Sequence, residues 1–486
     1  MAVRVRKNAG KLPAWDDTFI WYARGIREMQ KRLIANPTSW RYQAAVHDYQ
    51  RSADPYRKAS DVLPSTAEQR KFWRQCQHFS WFFLPWHRMY LGHFEQMIIA
   101  AIAPLGGPAD WALPYWNYSE GDNSRRLPKA FTDRKMPDGT DNPLFVQDRE
   151  DGNDGSPVGE DTDTDLECLT EPMFESTPMM GAPGFGGPRT GFKHTLVPGE
   201  PARFGALEAT PHGSMHVAVG GFMSSFVTAA LDPIFWLHHC NIDRLWEVWL
   251  GRVPTPPGTK PPQFSNVTAA AWASAVAFNL HDAQGNPVVM LPSSVTNSET
   301  SIFAYKYDDV ADPLGPPEES AMVLSMAGGI PEMLGATESG FTLTDQRTTA
   351  QFAVSAPTGP VLEAAGGAQR HILHIENITA ERKTKGYSVY INLPADADPA
   401  AYRDHFAGNI PLFGIDAVDD PENPHRGEGL HYSLDITRVV RALRQKGQWN
   451  PESVQLTFVP KRRRTDLESA VEPVPVQVGR VSLSTE

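Results

Sequence analysis

The segment PHGSMH holds His212 and His216 four residues apart. On a helix both imidazoles then project from one face, one turn apart. That spacing lets a single helix clamp one metal ion. Downstream, HHC offers His238 and His239 in an apolar run with Phe235, Trp236 and Trp246. A histidine inside such an aromatic wall needs a partner for its ring nitrogens. Neighbouring helical positions point about 100° apart, so only one of this pair can share a metal with His212 and His216. The first half of the chain repeats the theme. QHFSWFFLPWHRMY carries His78 and His87, and SWRYQAAVHDY supplies His47 as a third imidazole. His93 follows His87 by six residues, which turns it off that face, and it reads as a packing histidine.

Two imidazole triads without a carboxylate narrow the choice of metal. Neutral nitrogen donors suit copper, zinc or iron, whereas magnesium and calcium take oxygen. Hydrolytic zinc pairs usually include carboxylates. Di-iron bundles place a glutamate three residues before a ligating histidine, and none of these histidines has one. All-imidazole coordination fits copper cycling between its two oxidation states, two ions together delivering two electrons to dioxygen. Zinc stays open on this chemistry alone. Cys76, Cys168 and Cys240 are too few and too scattered for a disulfide framework, and they lack the CxxC spacing of structural zinc.

The elements that must position these groups change character along the chain. FIWYARGIREMQKRLIAN (Phe19 to Asn36) has apolar residues three and four apart, with Pro37 closing the run. A second helix is expected from about Pro85 through HRMYLGHFEQMIIAAIA, and further helical pattern at PHGSMHVAV and DPIFWLHHCNIDRLWEVWL. Between Gly106 and about Gly205 lie loops, whose acidic part QDREDGNDGSPVGEDTDTDLE reads as a solvated excursion. VPTPPGTKPP (Val253 to Pro262) is a Pro-rich break. Beyond about residue 320 the period becomes two. GYSVYINL points Tyr387, Val389, Ile391 and Leu393 one way and Ser388, Tyr390 and Asn392 the other, and SVQLTFV and RHILHIENI are further strands. A mainly α catalytic domain over 1–310, with a four-helix bundle holding the metal pair, is thus expected to precede a β-sandwich over 320–460. Residues 461–486 are expected to form a flexible tail.

With 45 Lys plus Arg against 57 Asp plus Glu, the net charge is −12, which argues against nucleic acid as a partner. No run of about 20 apolar residues is available to cross a bilayer. MAVRVRKNAGKLPAWDD has basic residues without an apolar stretch behind them, so the chain as written reads as cytoplasmic.

Five segments in order, SWRYQAAVH, CQHFSWFFLPWHRMYLGHFE, LPYWNY, EATPHGSMHVAVGG and DPIFWLHHCNIDRLW, resemble the type-3 copper proteins. The likeness is to the tyrosinases and plant-type catechol oxidases (polyphenol oxidases), and it spans most of residues 1 to 310. It implies two copper ions, the first held by His47, His78 and His87 and the second by His212, His216 and His239. FAYKY, with Tyr305 and Tyr307, is similar to the family's closing tyrosine motif. Cys76 stands where fungal members join a cysteine to the following histidine through a thioether. Phe226 matches the plant gate phenylalanine over the second copper. Glu208 matches a glutamate that orients a pocket water and helps take the phenolic proton. Gly213 departs from the pattern, because many efficient tyrosinases carry asparagine there; the departure bears on monophenol hydroxylation and leaves diphenol oxidation untouched.

The resemblance implies dioxygen and small phenols as partners, with o-quinones as products. YRDHFAGNIPLFGI is similar to part of the C-terminal domain of plant polyphenol oxidases, which in relatives covers the pocket and inserts an apolar side chain. Leu412 or Phe413 is the candidate here. The alternatives are a catechol oxidase limited to diphenols, an o-aminophenol oxidase, and a haemocyanin-like dioxygen carrier.

Overall fold

Asp16 opens helix α1 (Asp17–Gln30) by accepting the Thr18 amide, and Ser39 opens α2 (Trp40–His47) by accepting that of Tyr42. Both caps satisfy amides that a helix start leaves free. Helix α1 stops short of the expected Asn36. From Lys31 the chain folds into turns that bury Ile34, and Arg32 donates to the Thr38 carbonyl, so these turns and not Pro37 end it. Helix α3 (Phe83–Ile102) is buried along most of its length, and Pro85 falls in its first turn, where a missing N–H leaves no bond unmade. Helix α4 (Ser214–Val219) continues a π-type turn over Glu208–Gly213, and α5 (Ile234–Gly251) carries the HH pair. The computed structural model describes residues 3–178, 181–191, 203–252, 265–316, 331–355, 369–417, 429–462 and 474–486. The Pro-rich break at Val253 to Pro262 lies outside them. Among the described residues no helix is long and apolar enough to cross a membrane.

Helix α3 packs on α1 and α5. The Phe94 ring of α3 stacks on Trp236 of α5 at 3.4 Å. Below this contact lies a buried charge cluster. Asp243 of α5 accepts Arg88 Nε of α3 and the hydroxyls of Tyr305 and Tyr307, all at 2.5 Å. Those tyrosines lie on strand β2 (Tyr305–Tyr307), which pairs in parallel with β1 (Arg4–Arg6). Arg4 and Arg6 of β1 grip Glu95 of α3 at 2.9 and 3.0 Å. The tyrosine motif therefore ties both ends of the helical part to α3 and α5, two of the helices that present histidines. Such buried pairs fix geometry more than they add net stability, but removing one partner costs about 3–5 kcal/mol.

The C-terminal part is antiparallel. One sheet has the order β8-β7-β10-β5, built from β5 (Thr348–Phe352), β7 (Tyr387–Ile391), β8 (Phe406–Ile410) and β10 (Val454–Pro460). The other has the order β9-β6-β11-β3 from β3 (Glu332–Ala336), β6 (His371–Ala380), β9 (Leu430–Asp435) and β11 (Val476–Thr485), with β4 (Phe341–Leu343) also on β11. Residues of both sheets, among them Leu343, Ile375, Val389, Leu456 and Val481, share one apolar core. The strands anticipated at His371, Tyr387 and Val454 are present.

Three expectations are corrected. The segment 461–486 is not a flexible tail throughout, because β11 is an interior strand paired along nearly its whole length with β6. Its alternation, Val476 and Val478 buried with Gln477 and Gly479 exposed, is short, and Val481 falls out of step with it. Strand β7 is buried on both faces instead of one: Val389 and Ile391 join the main core, and Tyr390 packs with Phe406 in a second cluster. Asn392, at φ 51°, breaks the alternation after it and brings Leu393 to the side of Tyr390 and Phe406. The acidic excursion is not simply solvated. Its end docks on the C-terminal part, with Asp161 to Arg403 at 3.2 Å, Asp163 to Lys461 at 3.0 Å and Glu167 to Arg438 at 3.6 Å.

Candidate metal centre

The first histidine set gathers from three places: His47 ends α2, His78 lies in the loop before α3, and His87 sits in the early turns of α3. His47 Nδ1 donates to the Phe226 carbonyl and His87 Nδ1 to that of Phe83, each at 2.8 Å. In the second set His212 Nδ1 donates to the Glu208 carbonyl at 3.0 Å and His216 Nδ1 to that of Met223 at 2.7 Å. With Nδ1–H committed to the main chain, each of these four rings leaves Nε2 as a bare lone pair. His239 faces His216 Nε2 to Nε2 at 3.4 Å. The two sets meet across the His87 and His239 rings, stacked at 4.2 Å.

All six imidazoles are buried. Burial pushes His47 down to about 4 and His212 to about 3, and holds His87, His216 and His239 well below the ordinary histidine range, helped by neighbouring imidazoles. These five rings thus favour the neutral form, the one that ligates metal. His47 Nε2 and His212 Nε2 find no hydrogen-bond partner, which in a protein interior calls for an acceptor of lone pairs such as a metal ion. Neutral nitrogen donors converging as two groups fit a pair of copper ions.

The six histidines expected as ligands lie together in the two groups. His93 lies away from both groups, against Met290 and Phe303, as its spacing implied. His238 does not leave the site as expected. Its ring stacks on His212 at 5.3 Å, its nitrogen lies within reach of the second group, and Tyr118 donates to its Nδ1 at 3.2 Å. The neighbour rule separates directions but not distances, and a long side chain at an adjacent position still reaches the cluster.

The groups around the ligands are equally specific. Cys76 Sγ lies 3.6 and 3.7 Å from the two ring nitrogens of His78, distances that fit a sulfur facing the carbon between them. Both Glu208 oxygens accept the Phe79 amide, at 3.0 and 3.1 Å, and burial raises this carboxyl well above its usual range. Phe226 is not over the second set. Its ring lies flat on His78 of the first, at 4.0 Å and 19°. Phe413 occupies the other place: it stacks on His216 at 4.0 Å and 13° and meets Phe226 edge-on at 4.5 Å. Of the two lid candidates, Phe413 reaches the histidines and Leu412 is buried in the apolar core.

Two facing all-imidazole sets in a helical scaffold, followed by a sheet domain that lays a phenylalanine on one of them, define a type-3 copper architecture. Residues 37–252 match the common central domain of tyrosinase, and residues 330–486 match a domain of unknown function (DUF7868). The chain is 33% identical to tyrosinase HcTyr1 of Hahella sp. (strain CCB-MM4), with 100% of both chains covered. A chloroplastic polyphenol oxidase of Spinacia oleracea is 28% identical over 63% of this chain and 47% of its own length. Latent apple tyrosinase shares the fold, with a TM-score of 0.63 at 21% identity over 100% of this chain and 97% of that one. The chain belongs to the tyrosinase family and is a copper oxidoreductase.

Proposed function

We propose that this protein hydroxylates monophenols and oxidises o-diphenols to o-quinones with dioxygen. His47, His78 and His87 would hold one copper, and His212, His216 and His239 the other, within the helical bundle. The single observation that carries this reading is the convergence of buried imidazoles in two groups, with His47 Nε2 and His212 Nε2 facing inward without a partner. Copper bound there supplies the redox chemistry. The chain does the rest: its apolar walls exclude water and favour a flat aromatic ring, and Phe226 on His78 offers one face for that ring to lie along. Glu208, a buried carboxyl that accepts the Phe79 amide beside the ligands, is placed to exchange the phenolic proton. Cys76 fixes the ring of His78, through the thioether that the family resemblance implies or by contact.

Phe413 stands where an aromatic substrate would stack, so we read the C-terminal β-sandwich as a lid and the closed chain as latent. The known apple tyrosinase of like fold is itself described as latent. Diphenol oxidation alone is the second reading, favoured by Gly213 in the place of asparagine. Oxygen uptake by copper-loaded and zinc-loaded protein, given a monophenol and then the matching o-diphenol, tests both. Copper-dependent uptake with each is expected. Uptake with the diphenol alone would leave a catechol oxidase, and none after opening of the lid would overturn the enzyme.

A further inference from the structure

Gly213 follows His212 and precedes α4, with φ −61° and ψ −38°. These are ordinary right-handed helical angles, so the backbone does not require glycine, and helix propensity disfavours it. What the position lacks is room. A Cβ there would lie 3.0 Å from Pro411 Cγ and 3.3 Å from the Glu208 carbonyl oxygen. Pro411 belongs to the C-terminal domain, two residues before the phenylalanine on His216.

Pro411 has little freedom to yield. Its carbonyl accepts the hydroxyl of Tyr432. Behind it Gly386 packs so closely that a Cβ on that glycine would stand 2.7 Å from Pro411 Cα. Ahead of it Phe413 is wedged between His216 and Phe226, and Gly414 lies against the Phe226 ring, which a Cβ there would strike. Beyond that, Ser225 donates to Asp416 at 2.9 Å. The tip therefore moves as a unit, and a side chain at 213 displaces the unit or is itself displaced.

We propose that Gly213 is the seat of the lid: the missing side chain lets Pro411 close, and with it Phe413, so that one position governs both substrate class and latency. This rests on the reading of Phe413 as a removable cover. The asparagine that marks efficient hydroxylating relatives is larger than alanine and would occupy the space that Pro411 now fills. In this chain, competence toward monophenols and closure of the lid compete for the same volume.

The test uses the full-length copper protein. Gly213→Ala favours the helix, so a purely local role predicts a quieter protein. The seat predicts the opposite: faster hydrogen exchange over 411–417 and about tenfold more diphenol oxidation, the scale of an overpacked contact. Copper content should stay at two ions per chain. Pro411→Ala removes the Cγ that the new methyl meets, so the double variant should return both readouts toward the parent. Unchanged exchange in Gly213→Ala, or no reversal in the double variant, overturns the proposal. Faster exchange that reverses, without any gain in oxidation, upholds the seat and removes the lid reading beneath it. Gly213→Asn should add a rise in the ratio of monophenol to diphenol turnover.

Discussion

Each histidine set has one ring covered flat by a phenylalanine, and the two covers differ in origin. His78 lies under Phe226, whose own carbonyl also holds His47, so this cover is part of the helical scaffold. His216 lies under Phe413, which arrives from the sheet domain and is anchored by contacts to it. One cover is permanent and the other is borrowed. On the proposed function, a flat phenol would reach the second set by replacing Phe413, while the first set would keep its wall.

The largest effect should come where the sets are alike. His87→Ala and His216→Ala each remove a ligand, and each should cost more than the roughly 10–100-fold that loss of a supporting group brings. Metal analysis should show one copper lost per chain in both. An effect in one set alone would break the symmetry. Next, Phe413→Ala should raise diphenol oxidation of the full chain about tenfold, an estimate from one buried aromatic contact. Phe226→Ala should not relieve latency and should instead change KM. Equal gains from both would abolish the distinction between fixed and borrowed covers. Third, Cys76→Ser should weaken copper in the first set alone, by about tenfold. Peptide mapping of the parent should show whether the 76–78 peptide has lost two hydrogens to a thioether.

The smallest effect concerns the domain that lends the cover. Burial, with Arg203 and Arg480 nearby, holds His374 at about 3, and burial holds His371 at about 4, from an ordinary 6.5. Both lie on β6. Below 6.5 the unfolded chain takes up protons that these folded histidines refuse, so stability is full above that pH and falls as pH drops toward 4. The loss should be about 1 kcal/mol per histidine between about pH 6.5 and 5.5, read by denaturant unfolding of the sheet domain. His374→Asn should flatten part of that slope.

The ligands were legible because their chemistry demands particular residues at particular spacings. Four residues from His212 to His216 mean one helix face in any fold. The absence of nearby glutamates spoke to the metal before any geometry was known. The cover was legible only by resemblance: nothing in PLFGI distinguishes Phe413 from Leu412, since which of them reaches His216 is set by the turn at Gly414. The place of Phe226 on His78 was not legible at all, because its main chain is held by His47, a contact between residues 179 apart. His238 and the acidic stretch were misjudged for the same reason. Local pattern gives direction and polarity, and distant partners decide what lies there. In β11 the error ran the other way, since a short alternating stretch after KRRR was discounted for its position near the chain's end.

That strand carries a consequence for the order of assembly. β11 is the backbone partner of β3, β4 and β6, and it lies at residues 476–485. The last ligand is His239. At about 5–20 residues per second, synthesis from one to the other takes on the order of ten seconds or more. Throughout that time the helical scaffold can fold while the larger sheet of its cover lacks a central strand. A metal source reaching the nascent chain in that interval would meet histidines that the finished sheet has not yet covered. Strand order, rather than any residue of the pocket, would set that interval.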